Sequence, residues 1–148
     1  MAELKKRNLV ETIRNVKAPF LGICLGMQLL FEVSEEDDTQ CLNIIKGTVK
    51  KFISNNKYDE IIKVPQMGWN TVSEINDDLI FKNIPINSYF YFVNSYYAPI
   101  TKEVVLGVTD YGEKFASAVK KDNFYGVQFH PEKSGKIGEK LLNNFVKL

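Results

Sequence analysis

The chain has 148 residues, of which 45% are hydrophobic and 25% charged, the balance of a single globular domain. Its 19 basic and 18 acidic side chains leave a formal net charge of +1, which gives no electrostatic basis for binding nucleic acid or an anionic membrane. The sequence lacks an apolar run of about 18 residues, so it predicts no membrane span, and its charged N-terminus does not resemble a signal peptide. Two cysteines, Cys24 and Cys41, are expected to be free thiols in a reducing cytoplasm.

The first third of the chain predicts a helix, a strand, a turn and a second helix. Residues 2–16 have the apolar periodicity of an amphipathic helix, and Pro19 ends it. The apolar run FLGI, residues 20–23, is typical of a buried parallel strand. The residues from Met27 onward then return to a helical pattern.

The rest of the chain predicts β-structure followed by one helix. Three short stretches rich in β-branched and aromatic residues predict strands: 47–52, 63–72 and 89–99. Residues 104–129 predict an antiparallel meander, and Ser134 is expected to cap the last helix. The polar residues 55–63 are expected to form a loop. The order of elements predicts one α/β domain over residues 1–148, without an internal boundary.

One motif inside this pattern points to chemistry. Gly22-Ile23-Cys24-Leu25-Gly26 has the spacing of a nucleophile elbow, in which a strand turns sharply into a helix, with sulfur in place of the usual serine oxygen. Such a turn presents Cys24 at the helix N-terminus, which favours the thiolate, and leaves the backbone N–H of Leu25 free to stabilise an oxyanion. The alternative is a small buried cysteine that only packs as a hydrophobic residue.

The chain contains one histidine, so a Cys–His pair would have to use His130. Pro131 biases His130 toward an extended conformation, in which residues two apart lie on the same face. Glu132 would then lie beside His130 and could hold its imidazole in one tautomer. The alternatives are an ordinary structural histidine and a solvated glutamate.

Four motifs in chain order resemble a known family. GICLGMQ at 22–28 and GVQFHPEKSG at 126–135 resemble the class I, or triad, glutamine amidotransferases. VPQMGWN at 64–70 and YFVNSYY at 91–97 narrow the resemblance to the glutamine amidotransferase subunits of imidazole glycerol phosphate synthase. The resemblance implies a flavodoxin-like α/β fold: a mixed sheet with flanking helices and an antiparallel β meander, lacking the N-terminal strands.

The resemblance also implies a reaction. Cys24 would be the nucleophile, His130 the general base and acid, and Glu132 the orienting carboxylate. Glutamine would be hydrolysed through a γ-glutamyl thioester, and the ammonia would pass, within a heterodimer, to a (β/α)₈ cyclase subunit that makes imidazole glycerol phosphate and AICAR in histidine biosynthesis. The family implies neither a cofactor nor a metal.

Further residues take roles from the resemblance alone. Four are implied in glutamine binding: Gln28, Glu36, Ser95 and Tyr96. Three are implied at the cyclase interface and ammonia passage: Trp69, Asn70 and Lys133. For each of them, an ordinary core, strand or surface role is the alternative.

The sequence also departs from the family. The chain begins later than family members do, so we expect the central strands and the Gly-rich loop that supplies a second oxyanion donor to be absent. Losing one such donor typically costs about 10²–10³ in rate, so we expect weak or no activity from residues 1–148 alone. Asn94 stands where histidine is common. The alternatives are therefore a paralogous glutaminase that feeds a sugar amidotransferase in surface-polysaccharide synthesis, an inactive fragment, and another thiol hydrolase.

Overall fold

The computed structural model describes residues 1–54 and 61–148, so the loop expected over 55–63 lies largely outside the described residues. The helices are α1 (Ala2–Lys6), α2 (Leu9–Arg14), α3 (Leu25–Leu29) and α4 (Gly135–Phe145). The strands are β1 (Phe20–Ile23), β2 (Val33–Ser34), β3 (Thr39–Gln40), β4 (Thr48–Lys51), β5 (Gln66–Val72), β6 (Glu74–Ile75), β7 (Ser88–Asn94), β8 (Tyr96–Tyr97), β9 (Val105–Asp110), β10 (Lys114–Lys121) and β11 (Phe124–Val127). Three short 3₁₀ turns cover Glu36–Asp38, Leu79–Phe81 and Pro131–Lys133.

A mixed five-stranded sheet in the order β1-β11-β10-β9-β6 carries the site. Strands β9, β10 and β11 form the predicted antiparallel meander, and β1 pairs with β11 in parallel. The register runs from Phe20 opposite Phe124 to Ile23 opposite Val127. Because parallel strands end at the same edge of a sheet, the residues that follow β1 and β11 lie side by side.

Two smaller sheets complete the architecture. A short sheet has the order β3-β2-β4-β8, and β5 pairs with β7 to form a two-stranded antiparallel ribbon. The ribbon register runs from Gln66 opposite Asn94 to Val72 opposite Ser88. We call this pair the β5–β7 ribbon. Because side chains alternate across a strand, one face of the ribbon packs on the core and the other is exposed.

The core has two clusters, one on either side of the main sheet. The first joins the ribbon, the sheet and α4 through large side chains, with the rings of Phe90 and Phe129 stacked at 4.0 Å. The second packs α3 and the N-terminal helices on the sheet, with Met27 and Phe31 fully buried. Burying each such side chain contributes about 1.5–3 kcal/mol to folding.

Three expectations about the helices are wrong in detail. The helix predicted over residues 2–16 is broken at Asn8, whose φ of 56° is left-handed, a conformation that asparagine tolerates well. The helix predicted from Met27 begins at Leu25 and ends at Leu29, because the chain then turns into β2. Ser134 occupies the N-cap position of α4, but its hydroxyl bonds to other segments rather than to the helix. No helix among the described residues has the length and apolar character needed to span a membrane.

Candidate active site

Cys24 lies at a sharp turn between β1 and α3. Its φ of 51° and ψ of −108° are unusual for a residue with a side chain, a strain that typically costs about 1–3 kcal/mol. Its backbone N–H donates to Val127 O at 2.8 Å, so the turn is tied to the end of β11. The structure thus forms the strand–turn–helix elbow that the motif predicts.

The two glycines of the elbow differ in what they contribute. A Cβ on Gly22 would lie 2.5 Å from the carbonyl carbon and oxygen of Gly26, so only glycine fits where β1 and α3 close up. A Cβ on Gly26 would meet no described atom within 4 Å. Gly22 therefore relieves crowding at the elbow, and Gly26 does not.

The thiol of Cys24 is partly buried and has two hydrogen-bond partners. Its Sγ lies 3.6 Å from Val93 O on β7, and Gln128 Nε2 lies 3.6 Å from Sγ. Burial raises the pKa of the Cys24 thiol; the Leu25 N–H lowers it, the Glu132 charge raises it further, and Gln128 lowers it. The predicted effect of the helix start is present, because the Leu25 N–H favours the thiolate, but desolvation outweighs it and the net pKa shift favours the thiol.

His130 and Glu132 are in direct contact. His130 Nδ1 lies 2.7 Å from Glu132 Oε1, and His130 is extended, with φ −100° and ψ 94°, as expected before Pro131. Glu132 lies in a 3₁₀ turn rather than in a continued strand, and this turn brings its carboxylate back to the ring. With Nδ1 held by the carboxylate, Nε2 is the ring nitrogen left for other chemistry.

Strand β7 ties the histidine segment in place. The backbone N–H of His130 donates to Tyr91 O at 2.8 Å. The buried Ser134 hydroxyl donates to His130 O at 2.6 Å and accepts from the Tyr91 N–H at 3.0 Å. Cys24 follows β1, His130 follows β11, and β7 contacts both residues, so the structure brings the cysteine, the histidine and the glutamate to one edge of the main sheet.

The structure places Gln28, Ser95 and Tyr96 in one hydrogen-bonded wall beside this edge. The buried Gln28 donates through Nε2 to Tyr96 O at 3.1 Å and to Gln128 Oε1 at 2.9 Å. Asn94 donates to the same Tyr96 carbonyl at 2.9 Å, and Ser95 O accepts from Phe52 N at 3.0 Å. Both donor positions of the Gln28 amide are thus used, and its Oε1 accepts no hydrogen bond from the residues that the structure describes.

The four remaining predicted residues lie on the surface. Glu36 is exposed, and its charge adds to the rise that burial causes in the pKa of Cys41. Trp69 is 56% exposed on the β5–β7 ribbon and meets the Tyr91 ring edge-on at 5.9 Å, and Lys133 is exposed on the 3₁₀ turn. The Asn70 amide is occupied within the chain: Nδ2 donates to Asp110 O at 2.9 Å, and Oδ1 accepts from Thr71 N.

Two residues at this edge were missed by the sequence reasoning. Gln128 is fully buried against Cys24, and Ser134 joins β7 to the histidine segment. The sequence did contain a sign of the role of Gln128. Its amide stands between the apolar residues Val127 and Phe129 at the end of a buried strand, and a buried amide needs a hydrogen-bond partner. The Ser134 hydroxyl bonds to both Tyr91 and His130 because β7 lies close to it, and the sequence pattern does not predict that proximity.

Comparison with known proteins identifies the family and the fold of the chain. The sequence model of the family "Glutamine amidotransferase class-I" matches residues 3–148, and the chain belongs to that family. Among solved structures, a putative GMP synthase protein from Thermoplasma acidophilum has a TM-score of 0.70 at 21% identity, covering 99% of this chain and 65% of that one. A glutamine amidotransferase from Thermotoga maritima has a TM-score of 0.62 at 18% identity, covering 97% of this chain and 54% of that one. Both confirm the class I amidotransferase-like fold.

Comparison with curated relatives indicates which group within the family the chain resembles. The imidazole glycerol phosphate synthase subunit HisH of Methanocaldococcus jannaschii is 50% identical over 144 residues, which cover 95% of this chain and 70% of that relative. HisH 1 of Methanococcus maripaludis is 54% identical, with 89% and 63% covered, and HisH of Haemophilus influenzae is 48% identical, with 99% and 71% covered. Within the family, the chain therefore groups with the HisH subunits and spans roughly two thirds of their length.

The unequal glycines give a matched test of the elbow. Gly22→Ala is expected to lower the free energy of unfolding by about 1–3 kcal/mol, since the new methyl group meets backbone atoms that cannot move freely. Gly26→Ala is expected to change it by less than about 1 kcal/mol, and in the stabilising direction, because alanine favours a helix. Urea unfolding of both variants measures the difference. Equal losses in the two variants would contradict the close approach at Gly22.

Proposed function

We propose that the protein is the glutaminase subunit of imidazole glycerol phosphate synthase, which hydrolyses glutamine and supplies ammonia to the cyclase subunit in histidine biosynthesis. The observation that carries the proposal is the edge of the main sheet at which Cys24, on a strained elbow, lies with the hydrogen-bonded His130–Glu132 pair. Membership of the class I glutamine amidotransferases and the similarity to HisH proteins support it.

The site geometry supports a covalent mechanism. Because burial raises the pKa of the Cys24 thiol, the resting sulfur keeps its proton, and His130 must accept that proton as the sulfur attacks the glutamine carboxamide. The Leu25 N–H donates to the oxyanion that forms. His130 then returns the proton to the departing ammonia and leaves a γ-glutamyl thioester. Water, deprotonated by His130, attacks the thioester, releases glutamate and restores the thiol.

The glutamine subsite is proposed on the wall beside Cys24. The Oε1 of Gln28, which has no donor among residues 1–54 and 61–148, can accept a hydrogen bond from the substrate. Ser95 and Tyr96 are held rigidly there because both of their carbonyls are engaged, and their backbone would orient the amino-acid end of glutamine. Glu36 supplies an exposed carboxylate of the sign that an α-ammonium group requires.

The cyclase interface is proposed on the exposed face of the β5–β7 ribbon. Met67, Trp69 and Tyr89 are 64%, 56% and 60% exposed there. Three large apolar side chains exposed on one small ribbon are typical of a protein interface. Lys133 would add a charge at the edge of that surface. Asn70 is the weakest of the predicted interface residues, since its amide is already engaged within the chain.

The two cysteines test the nucleophile. Cys24→Ala is expected to abolish glutamate release from glutamine in the complex with the ligand-bound cyclase, because no sulfur remains to form the thioester. Cys41→Ala is the matched control and should keep turnover within about twofold, since the Cys41 thiol hydrogen-bonds only to Thr39 O among the described residues. Glutaminase activity that survives in Cys24→Ala would refute the proposal.

Substitution of Glu132 is expected to change two measurable quantities, the turnover number and the pKa of the Cys24 thiol. Glu132→Gln is expected to lower kcat by about 10²–10⁴, because His130 loses the carboxylate that orients it. The same change removes a negative charge that raises the pKa of the Cys24 thiol, so the thiol pKa should fall. Turnover and the pH dependence of Cys24 alkylation by iodoacetamide measure the two effects. Glu139→Gln, exposed on α4, is the control, and a parallel loss of turnover in both variants would contradict the assignment.

Trp69 tests the proposed interface. Trp69→Ala is expected to weaken cyclase binding by about 30-fold, the loss of roughly 2 kcal/mol typical of an interface hot spot. Val146→Ala, an exposed apolar residue after α4, serves as the control. Isothermal titration calorimetry with the cyclase subunit measures both affinities. If both variants bind as tightly as the parent protein, the ribbon is not the interface.

A further inference from the structure

Gln128 links the proposed nucleophile to the proposed substrate wall. The residue follows β11, is fully buried, and is fixed by its backbone N–H, which donates to Ser117 O at 2.9 Å. Its side-chain Nε2 lies 3.6 Å from Cys24 Sγ, and its Oε1 accepts from Gln28 Nε2 at 2.9 Å. One amide therefore contacts the sulfur on one side and a second amide on the other.

The direction of these hydrogen bonds is fixed by a backbone carbonyl. Tyr96 O can only accept, so Gln28 must present its NH₂ group there. The second N–H of that NH₂ group donates to Gln128, so the atom of Gln128 that accepts this bond must be its oxygen, Oε1. The NH₂ group of Gln128 is thereby left facing the sulfur of Cys24. The two amides thus present an N–H donor, and not a carbonyl oxygen, to Cys24 Sγ, and a negatively charged sulfur requires a donor.

We propose that Gln128 is a positioning residue for the nucleophile: its side-chain N–H stabilises the Cys24 thiolate and its oxygen aligns the Gln28 amide in the substrate wall. The inference rests on the proposed function, since it assumes that Cys24 is the reacting sulfur. It adds a residue that acts through Cys24 and Gln28 rather than on the glutamine itself.

The surroundings of Cys24 make an uncharged donor valuable. The four elements packed around the thiol are β1, α3, β7 and β11, and they contain no lysine or arginine; tyrosines are their only titratable residues. The turn after β11 adds His130, Glu132 and the exposed Lys133, and of these Glu132 acts unfavourably on the thiolate. A hydrogen bond from an amide to an anion is stronger than one to a neutral group, so Gln128 favours the charged sulfur.

The experiment measures Cys24 in the absence of turnover. In a Cys41→Ala background, the rate of alkylation by iodoacetamide as a function of pH reports the thiol pKa of Cys24 alone. Gln128→Leu is expected to raise that pKa by about one unit, and so to lower the alkylation rate about tenfold at any pH below it. Gln66→Leu is the matched control: its amide is equally buried but makes no hydrogen bond within the described residues, and the thiol pKa should stay unchanged.

A second variant covers the case in which Gln128→Leu does not fold. Gln28→Met keeps Gln128 but removes the N–H that orients its oxygen, so the thiol pKa should again rise, by less than in Gln128→Leu. Circular dichroism establishes that each variant is folded. An unchanged or lower thiol pKa in either folded variant would overturn the inference, as would an equal rise in Gln66→Leu.

The two proposals fail in different ways. Alkylation requires no glutamine, so an unshifted thiol pKa in the Gln128 variant would leave the glutaminase assignment intact. Conversely, glutamate release by a Cys24→Ala variant would refute the assignment without altering the measured thiol pKa shift.

Discussion

Four residues of β1 run parallel to four of β11, and this pairing sets the positions of Cys24 and of the His130 segment, on which the proposed site depends. The last pair joins Ile23 to Val127, and the next bond, from the Cys24 N–H to Val127 O, carries the register into the elbow. A shift by one residue would reverse the faces of the strand and separate the thiol from the histidine segment. Gly22 permits the pairing to end in a tight turn, because α3 crosses directly over its Cα.

Opposing electrostatic effects act on the pKa of the Cys24 thiol. Partial burial raises its pKa, and the Leu25 and Gln128 donors lower it without reversing the shift. The result is a thiol that keeps its proton at rest, so the proposed mechanism needs a base, and the orientation of His130 matters for that role. That orientation rests on several bonds at once: Glu132 on the ring, and Tyr91 and Ser134 on the backbone.

The parts of this arrangement that were predictable from the sequence are those encoded by short-range spacing. The elbow, the contact between His130 and Glu132, and the meander all depend on residues close in the chain, and the structure contains them. The helix over residues 2–16 was mispredicted because apolar periodicity does not register one left-handed residue, Asn8. The network from Tyr96 through Gln28 and Gln128 was not predictable, since its members lie as far as 100 residues apart and meet only through the packing of helix α3 between separate strands.

Strand β7 of the β5–β7 ribbon contacts the exposed surface, the aromatic core and the proposed site. The inward residues of β7, Phe90 and Phe92, are fully buried in the aromatic core, so the strand has little freedom to move alone. On its outer side, the Tyr91 ring packs edge-on against the exposed Trp69. The backbone of the same Tyr91 bonds to His130 and Ser134, and the next outward residue, Val93, accepts from the thiol of Cys24. A partner bound on the exposed ribbon would therefore contact a strand whose backbone bonds to both Cys24 and His130, the proposed nucleophile and the proposed base.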